Sequence, residues 1–112
     1  MSTVSARRKR AVAAPLFAAL GDATRLELVD RLGDGQQRSI AQLSDGLDLT
    51  RQGVTKHLGV LEEAGVVSRK RVGRETRFRI RPASIERARE YLARASAQWD
   101  EAIARLKNAV ED

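Results

Sequence analysis

The 112-residue chain has no cysteine, one histidine, two prolines and only four aromatic residues, Phe17, Phe78, Tyr91 and Trp99. Without cysteine there can be no disulfide, no thiolate metal site and no thiol redox sensing. A single histidine, His57, cannot build the clustered donor shell that zinc or a softer ion demands, so no metal site is expected. With so few aromatics, the core must come from Leu, Val, Ala and Ile. Long apolar runs are missing too: no window approaches the ~18 apolar residues of a membrane span, and no membrane partner is expected. Arg7 to Arg10 followed by AVAAPLFAAL imitates the start of a signal peptide. That run, however, is rich in alanine, is broken by Pro15 and continues into Leu20, Leu26 and Leu28, which a small domain needs for burial. It reads as a first helix, and a cytoplasmic location is expected.

Catalytic equipment is equally scarce. No histidine stands with a nucleophile and no glycine-rich phosphate loop exists; Gly33-Asp34-Gly35 is short enough to be only a turn. Glu62 and Glu63 are neighbours and point in different directions on a helix, which makes them a poor acid/base pair. Neither an enzyme nor a cofactor is expected.

What the chain does have is positive charge on a foldable composition. Lys and Arg number 21 against 15 Asp and Glu, a formal charge of +6, and 42% of residues are apolar. This composition describes one folded domain with a modest core and a polyanionic partner, nucleic acid ahead of an anionic membrane surface. The expected class is mainly α with a small β-hairpin. Residues 1–10 are expected to be a disordered basic tail, 11–82 a helix-turn-helix followed by a hairpin, and 83–112 a long helix of the same compact domain.

Local signals divide the chain further. Pro15 suits the first turn of a helix ending at Gly21, and Asp22 can cap a second helix with Leu26, Val29 and Leu32 inward. Ser39 is a cap for a third helix burying Ile40, Leu43 and Leu47, and Thr50 a cap for a fourth. Two helices so closely joined define a helix-turn-helix, whose second helix enters the major groove.

At about 100° per residue, Val54, Leu58 and Leu61 of this fourth helix share a narrow inward arc. Gln52 and Lys56 fall opposite, with Arg51 and Thr55 on a flank and His57 near the core boundary. Arg and Lys can donate to guanine, Gln can pair with adenine, and Thr can meet a phosphate or a thymine methyl. Thr50, Arg51, Gln52, Thr55, Lys56 and His57 are therefore candidate DNA contacts. The plain alternative for such a face is ordinary solvation, and for His57 a boundary residue. Between Val66 and Arg81, seven basic residues are opposed only by Glu75. Thr76, Phe78 and Ile80 alternate there with Arg77, Arg79 and Arg81, the period of a half-buried strand. Gly73 permits a tight turn that puts Arg74 at its tip, and Arg74 and Arg77 become candidates for the flanking backbone or minor groove.

Pro82 closes the strand and Ser84 is expected to cap the last helix. There Ile85, Ala88, Leu92, Ala95, Trp99, Ile103, Leu106 and Val110 recur at spacings of three and four, a seam too long for so small a domain to cover. A symmetric dimer is expected, with Leu16, Leu92, Ala95, Trp99, Ile103, Leu106 and Val110 at its interface.

LFAALGDATRLELVDRL and SIAQLSDGLDLTRQGVTKHLGVLEEAGVVSRKRVGRETRFRI together resemble the ArsR-type winged helix-turn-helix repressors of bacteria and archaea. The resemblance runs from Leu16 to Ile80, on GDATR opening the second helix, T-x-H-L in the fourth, LEEAG at its end and VGRE at the wing tip. It implies a homodimer that holds operator DNA as a repressor and releases it to an effector. The chain departs from the family's metal sensors: Ser39, Ile40 and Ala41 stand where those carry cysteines in the third helix, and the last helix has no histidine. A member lacking the metal site, answering an effector of unidentified chemistry, is expected. Gly53 and Gly59 depart as well, since basic or helix-favouring residues are usual there. The rival reading is a winged-helix protein-interaction module docking a partner through its last helix; a winged helix on structured RNA is a third.

Overall fold

In the computed structural model, which describes residues 3–111, capping hydrogen bonds mark out the central helices. Helix α2 (Ala23–Arg31) begins where the Asp22 carboxylate accepts from the Arg25 N–H at 3.0 Å. Helix α3 (Ile40–Ser44) begins at a reciprocal box, in which Ser39 Oγ accepts from the Gln42 N–H and Gln42 Oε1 accepts from the Ser39 N–H at 2.8 Å. Helix α4 (Arg51–Glu63) begins at Thr50, whose Oγ1 accepts from the Gly53 N–H at 3.0 Å. Each such cap contributes about 1 kcal/mol. All three lie where the sequence put them.

Strands β2 (Val67–Val72) and β3 (Glu75–Ile80) pair with Val72 opposite Glu75 and Lys70 opposite Arg77. The two-residue turn between them needs Gly73, at φ 62°, where a side chain would be strained. A strand not foreseen, β1 (Arg38–Ser39), adds to the far edge of β3 and completes an antiparallel sheet of order β1-β3-β2. Two residues carry no readable alternation. Its approach is braced by Arg38, which grips both oxygens of Asp34 at 2.7 and 2.8 Å.

Helix α1 (Thr3–Leu20) and helix α5 (Pro82–Glu111) pack against each other beside this unit. The core lies between them, α2 to α4 and the inner face of the sheet. Leu28 and Leu32, Leu43, the stripe Val54, Leu58 and Leu61, and Phe78 are fully buried there.

Four expectations change. The first helix starts at Thr3, so residues 3–10 are helical instead of a disordered tail, and Pro15 lies inside the helix; Met1 and Ser2 lie outside the described residues. Packing along α5 supplies the surface that holds this extension. At α2, Val29 packs against the core and Leu32, at the C-cap, is fully buried as expected, but Leu28 takes the remaining inward position and Leu26 is left 47% exposed. Ser84 is no cap: it is fully buried in the first turn of α5, its Oγ donating to the Arg81 carbonyl at 2.7 Å. Leu16 is only 4% exposed within its own protomer, so it belongs to this core and not to a surface offered to a partner.

At 1.5 Å per residue, the 30 residues of α5 extend about 45 Å, and the molecule measures 64 × 30 × 22 Å. The outer part of α5 therefore carries exposed Leu92, Trp99, Ile103, Leu106 and Val110, with Trp99 69% and Val110 85% accessible; Ala95 is half-buried. Among the described residues, no helix is long and apolar enough to cross a membrane.

Two outcomes test this account of stability. A Cβ at Gly59, inside α4, would meet nothing within 4 Å, so Gly59→Ala should stabilise the fold by about 0.5–1 kcal/mol in urea denaturation. Arg38 and the Gln36 N–H hold the Asp34 carboxyl far below its ordinary value of 3.8, a contribution present above that value and lost as pH falls toward the folded one. The urea midpoint of Asp34→Asn should thus lie below that of the parent at neutral pH, and the gap should narrow below about pH 4.

Candidate nucleic-acid interface

Burial of Val54, Leu58 and Leu61 turns the opposite face of α4 to solvent. Arg51, Gln52, Thr55 and Lys56 come together there, in an open groove shared with Ile40 and Ala41 of α3. Arg51, Gln52 and Lys56 are exposed, and none has a side-chain hydrogen bond or ion pair among the described residues. Thr55 Oγ1 donates to the Arg51 carbonyl at 2.7 Å, leaving its methyl and a lone pair outward. Thr50 is exposed, but its Oγ1 is engaged as the cap of α4, so it holds the helix start in place. The first turn also presents unpaired backbone N–H groups and the positive end of the helix dipole, both of which favour phosphate.

His57 stands apart from this group. It is half-buried on the side facing α2, with Nδ1 3.3 Å from Arg25 Nη1 and 3.7 Å from Asp22 Oδ2. A guanidinium can only donate, so in the neutral ring Nδ1 accepts and the proton sits on Nε2. Arg25 also donates to the carbonyls of Ala18 and Ala19 at the end of α1. The Arg25 N–H holds the Asp22 carboxyl below the usual carboxylate range, with burial opposing and the Arg25 charge assisting. His57 therefore clamps α4 to α1 and α2 and is not set out with the groove residues. Asp22 and Arg25, three apart in GDATR, carried the local signal of a cap; their junction with a residue 32 positions away carried none.

The hairpin sorts its cations by face. Arg69, opposite Phe78, lies on the inner side, stacked 5.1 Å over the Phe78 ring and paired with Glu62 of α4 at 2.9 Å. Arg77 and Arg79 alternate outward, but Arg77 is half-buried and its Nε donates to Glu75 Oε2 at 3.0 Å. The structure thus gives Arg77 a carboxylate within its own strand. Arg74 alone occupies the tip as expected, exposed and without a partner among the described residues. Arg71, which sequence reasoning did not single out, stands beside it and donates from Nε to the Gly73 carbonyl at 3.2 Å. Position on the arm of a tight turn was the signal available for it. Among the described residues, no three His, Asp or Glu side chains gather as metal ligands would.

Known proteins share this geometry. A family described as a helix-turn-helix domain matches residues 20–69. The HTH-type transcriptional regulator YuzN of Bacillus subtilis (strain 168) is 40% identical over 65 residues, spanning 53% of this chain and 71% of that protein. An ArsR-like transcriptional regulator from Rhodococcus sp. RHA1 superposes with a TM-score of 0.72 at 38% identity, over 88% of this chain and 92% of its own. A homodimeric winged helix-turn-helix DNA-binding domain from Mycobacterium bovis superposes with a TM-score of 0.64 at 25% identity, over 90% and 89% of the two chains. The capped turn between α3 and α4, the glycine-tipped wing and these relatives agree: the chain belongs to the ArsR-type winged helix-turn-helix transcriptional regulators, with a DNA-binding helix-turn-helix.

Proposed function

We propose that the chain acts as a homodimeric repressor that reads a near-palindromic operator and answers a signal other than a metal. The observation that carries this reading is the unpartnered group Arg51, Gln52 and Lys56 on the outer face of α4, on the same protomer that leaves Trp99, Leu106 and Val110 uncovered. Lys56, Gln52 and Arg51 would meet base edges in the major groove, with Thr55 offering its methyl to thymine. Arg74 would enter the adjacent minor groove or meet its phosphates. Two copies joined along α5 present two such helices, and half-sites one helical turn apart then follow from the symmetry. The homodimeric relative from Mycobacterium bovis supports the same assembly. His57 keeps α4 in place, and Arg77, tied to Glu75 through Nε alone, keeps its Nη donors for a phosphate.

Fluorescence anisotropy with a palindromic fragment from the chain's own promoter, against random duplex, tests the whole reading. Specific binding should be at least ~10³-fold tighter and should fall steeply with salt; equal affinities would refute it. Lys56→Ala should cost about 1–3 kcal/mol on the operator and relax preference at one base pair, whereas Arg74→Ala should reduce the salt slope by about 1. Unchanged biological activity of a variant carrying both Lys56→Ala and Arg74→Ala would favour the protein-interaction module instead. Trp99→Glu places a charge in the α5 seam and should yield monomers by light scattering, with operator affinity falling as the second half-site is lost.

A further inference from the structure

A second cationic cluster lies in the groove between α1 and α5. Arg8 and Lys9 from α1 and Arg87 and Arg94 from α5 surround a cavity of about 220 Å³. Glu90 is the only acidic group in its lining, and none of the four cations has a hydrogen bond or ion pair among the described residues. The walls are apolar: Val12, Ala13 and Leu16 on one side and Tyr91 on the other, its ring steadied 5.6 Å from Phe17. Four like charges around one apolar hollow repel one another, a cost that an anionic occupant removes.

DNA does not account for this cluster. The end of α1 that meets α2 and α4 is its C-terminal end, where Ala18 and Ala19 receive Arg25. Arg8 and Lys9 lie ten residues back, about 15 Å along the helix. Nor is the cavity the dimer seam itself. At about 100° per residue, Arg87, Tyr91 and Arg94 lie roughly a third of a turn round α5 from Leu92, Trp99 and Leu106.

We propose that the α1–α5 groove binds a compact organic carboxylate, its apolar body between Val12, Leu16 and Tyr91 and its charge held by Arg87 and Arg94, and that this ligand is the regulator's effector. The volume is below the ~300–1,000 Å³ of drug-sized sites, which limits the body to one ring or a short acyl chain. The arginines suit a carboxylate because a guanidinium can meet both oxygens at once. One wall also reaches the DNA-reading unit. A Cβ built on Gly65, just past the C-terminal cap of α4, would lie 3.5 Å from an Arg87 guanidinium nitrogen. Arg87 therefore sits between the groove and the negative end of the α4 dipole. An anion that draws it inward changes the packing at the end of α4 and, through the neighbouring face of α5, at the seam. The ligand acts only to the extent that it binds one of these arrangements better than the other.

The effector role rests on the repressor reading, but binding itself does not, so it is measured first on the full chain without DNA. Calorimetric titration with benzoate, 4-hydroxybenzoate, phenylacetate and hexanoate is compared with the four corresponding amides. At least one acid should bind more tightly than about 1 mM, with its amide about tenfold or more weaker. Arg87→Gln combined with Arg94→Gln should lose at least about tenfold in that affinity, while helix content by circular dichroism and mass by light scattering stay unchanged. The site is refuted if no acid binds, if acid and amide bind alike, or if the double variant binds as the parent does. It is also refuted if that variant loses its oligomeric state, since the groove would then hold acidic groups of a second copy. With binding in hand, the saturating acid should weaken operator affinity in the parent and not in the double variant; an unchanged affinity overturns the effector role, and a parent that never binds operator overturns the repressor reading alone.

Discussion

The rotation of α4 about its own axis is the constraint on which the rest depends. Val54, Leu58 and Leu61 have no exposure at all, and a helix with one stripe so completely buried has no freedom to turn. That single orientation puts Arg51, Gln52 and Lys56 outward together. The clamp of His57 against Arg25 and Asp22 opposes the same rotation from the flank, and the pair between Glu62 and Arg69 ties the last turn to the sheet. Polar contacts at the edges and apolar contacts beneath therefore act on one degree of freedom. The outward residues need no interactions of their own to be placed, which leaves their hydrogen-bonding groups available.

Charge is distributed by the same economy of partners. The hairpin looks uniformly cationic in sequence, yet Arg69 is stacked and paired and Arg77 is paired, so the field at the wing is concentrated on the tip at Arg74 and Arg71 and on Lys70 and Arg79 of the outer face. Between α1 and α5 the opposite arrangement holds, with Glu90 the only carboxylate beside four cations. Surface ion pairs contribute little to stability, typically below about 1 kcal/mol. Their larger effect here is to decide which cations remain open to a partner.

Much of this was legible along the chain because it is local. Asp22, Ser39 and Thr50 act on N–H groups three residues away, the α4 stripe repeats within three turns, and Gly73 answers a turn of two residues. What depended on distant approach was not legible. His57 reads as a boundary residue open to packing or to the groove until α2 is placed against it, whereas the pair of Arg77 with Glu75 is local, two residues apart on one face of the strand. Leu16 reads as an interface residue, and only the packing of α1 on the core shows that it is buried within its own protomer. Strand β1 exists because β3 offers an open edge, a fact that no two-residue window contains.

Ser39 is at once the end of β1, the cap of α3 and the residue opposite Arg77 in the sheet. The start of the helix-turn-helix and the root of the wing are thus welded at one backbone position, and neither can slide without breaking a pair of strand bonds and a capping box together. The two elements that would straddle a duplex form a caliper with fixed jaws. In the proposed complex such an instrument would gauge the width and spacing of the duplex between α4 and the wing tip, adding discrimination by the shape of the double helix to that by its base edges.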